Sequence, residues 1–544
     1  MTGVHSCHDL PIKGISSMKA SVVGEESCDC DQPASGQICL PVRNRIRFHF
    51  LLAGLTVILS GLLWWFEAPF VFPLDDAYIT LHNAQVLRSG SDVNYNVSAL
   101  SGATSLIHLA AVTGFMSLAP AALASFLVAT VGFGAYAQGA AALAFRHGLS
   151  IQVTSLVVVI ALMTGYTAHH LFNGLETGGV LAAVTWTLVL ATSPHPSRLL
   201  AVLCGLLPFL RPELGALSLA LMARQSWIRW RAPRVRSQRM FEIASDVALV
   251  LAAALPWLVW SWVETNEIIP STARAKQVFF AEGGLPLWFK GLISGTALMK
   301  GLGPVLISIL CVKPRGLAVA IWLFAAAFVG AYTISFPGGL YHNYFRYTYV
   351  LLPVAIWALC CVSGSNRREL AKVLLVAGLS WVAVSIPMAW RAHQEGRTIT
   401  VKEHADLAAW VNANLPADAR VLVHDAGYVA FSTSRRLIDV VGLKAPENIA
   451  DHLRWTASTG GRDRWRAVHQ IAARHGATHA IILDDKEGFW SSLGDDLRHA
   501  GWTLDLMREP KLPYGYRIFR LTRPDRPLAE NPSLRPPTRP TAVY

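Results

Sequence analysis

About eleven apolar runs, at positions 48–72, 104–119, 121–145, 150–169, 178–193, 197–222, 243–263, 295–312, 316–336, 349–363 and 371–389, each approach the ~20 residues that an α-helix needs to cross a bilayer. A chain with that pattern must satisfy its backbone groups within helices buried in lipid, which excludes most soluble architectures. Composition agrees. The chain is 53% hydrophobic and 15% charged, against about 25% charged for a soluble domain. Its 18 tryptophans suit aromatic belts at two membrane interfaces.

The net charge of +12 sits largely in short clusters flanking the apolar runs, which points to membrane topology and not to nucleic acid. Arg43, Arg45 and Arg47 precede the first run, ARQSWIRWRAPRVRSQR ends at Arg239, and basic turns occur at Lys313–Arg315 and Asn366–Arg368. Placing these in the cytoplasm puts Asp75, 264–294, 336–346 and everything after Arg391 on the outer side. The pattern predicts a multi-pass membrane protein with four parts. These are a disordered cytoplasmic tail (1–42), a membrane region (43–390), an extracytoplasmic α/β domain (391–523) and a disordered Pro- and Arg-rich tail (524–544). Cys28 and Cys30 in the first tail form a C-x-C pair without the second pair that a zinc site needs. Between Ala121 and Met222 strict alternation fails, because Arg211-Pro212-Glu213 interrupts an apolar run. A broken or re-entrant helix there would line a cavity.

Asp75 and Asp76 follow directly on the first apolar run. Two adjacent carboxylates at the mouth of a span repel each other and are costly to desolvate. One explanation is helix capping, for which a single Asp would suffice. The other is chemistry. Further ionisable groups lie inside or beside apolar runs: Glu176 in FNGLETG, Arg211 and Glu213 in LRPELG, Arg274 and Lys276 in EIIPSTARAKQ, and His342 and Arg346 in YHNYFRY. Such groups are functional candidates, although Arg211–Glu213 pairing, capping by Glu176 and interfacial anchoring by Arg346 are structural alternatives. Carboxylates on an outer loop can serve as a general base toward a sugar hydroxyl. Cations at the same interface can hold a lipid phosphate and stabilise it as it leaves. Outside the cytoplasm nucleotide-activated sugars are not supplied, so a transferase there would use a donor carried by the membrane, such as a polyprenyl phosphate. No Walker glycine loop, H-E-x-x-H motif or G-x-S-x-G elbow is present.

The motifs Asp75–Ile79, Asn94–Asn96, Gly102–Ser105, Gly174–Thr177, Arg211–Glu213, Pro270–Lys276 and His342–Tyr347, in this order, resemble those of bacterial polyprenyl-phosphate-dependent glycosyltransferases of GT-C architecture. The subgroup most similar includes the mycobacterial terminal arabinofuranosyltransferase. Leu214 and Ser271 depart from residues common in that group, which bears on donor preference. The resemblance implies inverting transfer from a polyprenyl-phosphate-linked sugar to a cell-envelope glycan or glycolipid. An aspartate in the first outer loop would act as base. Asp75 is the expected base, with Asp76 orienting the acceptor or holding a cation. Tyr78, Glu176, Arg211, Glu213, Arg274, Lys276, His342 and Arg346 are the expected substrate-binding residues, with Arg274, Lys276, His342 and Arg346 converging on the lipid phosphate. A divalent cation, if used, would draw its hard oxygen ligands from Asp75, Asp76 and Glu176. A transporter or flippase of a lipid-linked sugar is the rival reading. It would show internal repeats in its hydropathy, and none is evident.

The remaining segment reads as a small α/β domain. VKEHADLAAWVNANL has helical spacing, RVLVHD and THAIILDD read as strands, and RDRWRAVHQIAARHG is an amphipathic helix ending at Gly476. WTLDLM and YRIFRL can extend the sheet. The domain is expected to act as a lid, an acceptor-binding module or a structural cap.

Overall fold

The computed structural model describes residues 42–68 and 70–524; both terminal tails discussed above, with Cys28 and Cys30, lie outside the described residues. The fold is the polytopic helical region followed by a small α/β domain that the apolar pattern predicts. Among the described residues, seven helical stretches are long and apolar enough to span a membrane: Val42–Phe66, Ala121–Arg146, Arg236–Thr265, Leu287–Leu310, Leu317–Ser335, Pro337–Ser363 and Arg368–Asn414. Four further apolar helices, Leu106–Phe115, Ile151–Met163, Thr177–Ala191 and Arg198–Leu210, are shorter. An apolar run in the sequence is therefore not the same thing as a full-length span. The short helices pack inside the bundle: Val157, Ile160, Leu181, Val184 and Leu188 are fully buried.

The run 197–222 is broken where the charges interrupt it. Arg198–Leu210 ends at Arg211, whose backbone is extended (φ −156°, ψ 132°), and a new helix, Leu214–Arg231, starts three residues later. The break brings Arg211 and Glu213 into the protein interior without burying them in helix walls facing lipid.

The last long helix does not stop near position 390. Arg368–Ile399 runs on through one π turn, Thr400–His404, into Ala405–Asn414, so a continuous helical rod, not a linker, joins membrane region and domain. The domain holds a five-stranded sheet of β1 (Arg420–Val423), β2 (Arg436–Asp439), β3 (His479–Leu483), β4 (Thr503–Arg508) and β5 (Tyr516–Thr522), in the order β2-β1-β3-β5-β4. β2, β1 and β3 are parallel; β5 and β4 add antiparallel. Alternate residues of β1 feed two apolar layers. Leu422 joins the layer with Val468, Ile471 and Leu497, and Val421 and Val423 join the layer with Leu407 and Val411. β2, Arg-Leu-Ile-Asp, was not anticipated from sequence; four residues carry too little alternation to stand out.

The domain core is not its own alone. Ile79 from the helix Asp75–Ser89 and Ala275, Val278 and Phe279 from the helix Thr272–Phe280 belong to the first layer. Phe280 stacks on Phe489 at 5.2 Å and Phe279 on Trp490 at 5.6 Å. Lys444, fully buried, reaches from the domain to Asn83 Oδ1 (2.6 Å) and Asp92 (3.4 Å). Asn94 closes the seam by donating to the carbonyls of Thr433 and Arg435. The domain is therefore fixed to the two loop helices on which the candidate residues lie.

Candidate active site

The helix Asp75–Ser89 begins after Leu74 and ends at Gly90, whose left-handed conformation (φ 78°) suits a residue without a Cβ. The N-cap is Leu74, with no side-chain cap, so neither aspartate caps its own helix. Being consecutive, the two carboxylates leave the helix about 100° apart and enter different surroundings.

Asp75 turns toward the domain. Its carboxylate accepts the backbone N–H groups of Gly427 (2.9 Å) and Tyr428 (2.7 Å). Burial, and then the nearby charge of Asp425, raise its pKa well above the usual carboxylate value, against the two N–H groups that lower it. Tyr78 follows the same direction. It is buried, its hydroxyl accepts the Phe72 N–H (3.1 Å), and its ring lies edge-on to Tyr428 at 4.6 Å. Gly427 is required at this seam: a Cβ there would sit 2.1 Å from the Asp75 carbonyl oxygen and 2.6 Å from its carboxylate. Gly427→Ala is expected to cost about 1–3 kcal/mol as overpacking, read as a lowered unfolding midpoint and faster proteolysis of the domain. An unchanged midpoint would mean that the seam is looser than described.

Asp76 turns the other way, into a cavity of about 240 Å³ between bundle and domain. The cavity is lined from seven separate regions of the bundle and its loops, and by Leu443 from the domain. Glu176, Arg211, Glu213, Lys276, Arg346 and Tyr347 provide its polar walls, and Ile79, Leu109, Leu175 and Phe336 its apolar ones. Asp76 Oδ2 accepts from Asn343 Nδ2 (2.9 Å) and Arg346 Nη1 (3.3 Å), with Lys276 Nζ and His342 Nε2 each at 3.8 Å. Burial alone would raise its pKa, but Lys276, His342 and Arg346 hold it well below the usual carboxylate range. Glu176 binds Arg346 Nη2 (3.1 Å) and lies 3.6 Å from Arg211 Nη1. Arg211 pairs with Glu213 at 2.7 Å and lies over the Tyr347 ring at 4.6 Å. Lys276 Nζ approaches His342 Nε2 at 3.3 Å and the Tyr347 hydroxyl at 3.5 Å.

The backbone makes one costly adjustment to build this. Asn343, Tyr344 and Phe345 all have positive φ (48°, 58° and 63°), a conformation that costs non-glycine residues about 1–3 kcal/mol each. It interrupts the helix just before Arg346 and turns the Asn343 amide onto Asp76.

Seven of the residues singled out in sequence thus come together: Asp76, Glu176, Arg211, Glu213, Lys276, His342 and Arg346. Three do not. Asp75 and Tyr78 serve the domain seam. Arg274 is exposed and is not among the cavity-lining residues; two positions from Lys276, it sits about 200° around the same helix. Arg274→Ala is accordingly expected to leave binding of a phosphate ligand within about twofold, whereas Lys276→Met should weaken it by about tenfold, the scale of one charge-assisted hydrogen bond. Equal losses in both variants would require Arg274 to reach the cavity. The carboxylates that could have held a divalent cation are not assembled either, since Asp75 faces Gly427 while Asp76 and Glu176 are joined through Arg346. Among the described residues no group of three His, Cys, Asp or Glu side chains is arranged for a metal ion.

His108, Tyr332 and Asn343 were missed. His108 lines the cavity beside the Gly174 carbonyl (3.3 Å), and the Tyr332 hydroxyl donates to Glu213 (3.3 Å). A lone histidine within an apolar run was a readable signal; a tyrosine within one was not, because tyrosine is common near membrane interfaces.

A protein family described only as a domain of unknown function, DUF8728, matches residues 389–522. No match was found among curated proteins. Among solved structures, the chain is similar to ArnT from Cupriavidus metallidurans bound to undecaprenyl phosphate, with a TM-score of 0.47 and 14% identity over 86% of this chain and 97% of that one. The apo state of ArnT gives a TM-score of 0.46 at 14% identity, with the same coverage. The arabinofuranosyltransferase AftD from mycobacteria gives 0.46 at 15% identity, covering 87% of this chain; the chain spans 41% of AftD.

Proposed function

We propose that this protein is a membrane glycosyltransferase of GT-C type that moves a sugar from a polyprenyl-phosphate donor to a glycan or glycolipid acceptor. The observation that carries the reading is one cavity at the junction of bundle and domain, where Asp76 faces Lys276 and Arg346 beside apolar walls. A lipid phosphate needs cations next to an apolar surface, and a sugar hydroxyl needs a carboxylate to take its proton. Arg346 Nε is buried without a hydrogen-bond partner, a donor available to an anionic ligand.

In this reading Asp76, not Asp75, is the base. The acceptor oxygen attacks the anomeric carbon as its proton passes to Asp76. The phosphate leaves from the opposite face, so the configuration inverts. Lys276 and Arg346 stabilise the charge that develops on the leaving oxygen, and Arg211, held by Glu213 and Tyr347, keeps Glu176 and Arg346 in place. The purified protein is expected to transfer sugar from glycosyl-phosphopolyprenols, arabinofuranosyl among those tried, to cell-envelope glycan fragments. Absence of transfer from every such donor, with the protein folded, would overturn the reading.

The same reading sets the cavity and domain on the outer face of a bacterial inner membrane, because the basic clusters lie at the opposite ends of the helices. Alkaline phosphatase fused after β5 should therefore be active. Activity of a cytosolic reporter at that point instead would reverse the orientation.

A further inference from the structure

The cavity contains three cations, Arg211, Lys276 and Arg346, and three carboxylates, Asp76, Glu176 and Glu213. The formal charges of these six groups cancel. An entering phosphate therefore meets cations that already face carboxylates, and competes with those carboxylates for them. The three carboxylates are not held equally. Glu213 is 2.7 Å from Arg211 and Glu176 is 3.1 Å from Arg346, but Asp76 meets its cations only at 3.3 and 3.8 Å. Asp76 is also the most exposed of the three, at 23% against 18% for Glu213 and 6% for Glu176. Its closest contact is to a neutral group, the Asn343 amide at 2.9 Å, which would keep it in place if the cations were withdrawn.

Resting on the donor reading above, we propose that the lipid phosphate and the Asp76 carboxylate compete for Lys276 and Arg346, so that docking of the donor itself releases the base. A carboxylate surrounded by cations is a poor base because they stabilise its ionised form. When the phosphate takes those cations, Asp76 stays on the Asn343 amide, loses their field and gains a neighbouring negative charge. Both changes increase its proton affinity. The step then balances. The acceptor O–H proton goes to Asp76, the acceptor oxygen bonds to the anomeric carbon, the carbon–phosphate oxygen bond breaks, and its electron pair leaves with the phosphate onto Lys276 and Arg346. Without a donor, Asp76 remains bound to the cations, which protects the site against deprotonating water or an acceptor prematurely.

Competition gives Asp76 a signature opposite to that of a donor ligand. With farnesyl phosphate as the probe, measured against the full-length protein in nanodiscs, Asp76→Asn should bind about tenfold more tightly than wild type, within the range of ordinary coupling between sites. Lys276→Met should bind more weakly. In the wild type, isotope-edited infrared spectra should show an aspartate carboxylate band shifting when farnesyl phosphate is added, a shift missing from folded Asp76→Asn; a wild-type spectrum without any such shift refutes the competition with no need of the variant. If wild type binds the probe and Asp76→Asn binds it equally or less well, or no Asp76 band moves, the competition is refuted while the donor reading stands. If neither protein binds the probe, both fall.

Discussion

Asp76→Asn is expected to lower sugar transfer by about 10²–10⁴-fold, the contribution typical of a positioned general base, while the protein remains folded. Asparagine keeps the shape of the side chain and can still accept from the Asn343 amide and Arg346, so the architecture around it should persist. It cannot accept the acceptor proton at neutral pH. kcat should fall while donor KM also falls, since the side chain stabilises the transition state and opposes the ground-state phosphate. Asp75→Asn is the informative partner. Asparagine there can still accept one of the N–H groups of Gly427 and Tyr428 but not both, so the loss should appear mainly in domain stability, with turnover reduced by less than about tenfold, a range set by one weakened hydrogen bond. Loss of transfer in Asp75→Asn with normal rates in Asp76→Asn would reverse the assignment made from the geometry.

Replacing Arg346 should have the largest structural consequence. Arg346 is buried and joins Asp76 to Glu176, at 3.3 and 3.1 Å. Arg346→Met removes a shared cation from two carboxylates, and breaking one partner of a buried ion pair costs about 3–5 kcal/mol. The value should fall toward the lower end, because Glu176 retains Arg211 and Asp76 retains Lys276. Pairing the change with Glu176→Gln removes the uncompensated charge. The double variant should regain a measurable part of the lost stability, within the ~0.5–3 kcal/mol expected for residues in contact, but not donor binding or transfer. Denaturation midpoints in detergent or nanodiscs read the first outcome and farnesyl phosphate binding the second. Additive destabilisation in the double variant would mean that the Arg346–Glu176 contact contributes little.

The sequence by itself determined the helical membrane class, the appended α/β domain, four of its five strands, and the motifs that supply the cavity. These are local or periodic properties: a bilayer-length apolar run, an alternation, or a charge where lipid should be can be read from neighbours in the chain. The break at Arg211 was legible for the same reason. The tertiary structure alone decided how the residues divide. Asp75 and Asp76 are indistinguishable as a dipeptide, and only a helix starting at Asp75 sends one to Gly427 and the other to Arg346. Arg274 and Lys276 look equivalent in a basic loop until the helix places them on different sides. Asn343 becomes a ligand of Asp76 only through three successive left-handed residues, which no local preference would favour. Seams such as Asp75–Gly427 join residues 352 positions apart. Their pairing depends on packing between the domain and the loop helices, a property of the whole folded chain that no window of sequence contains.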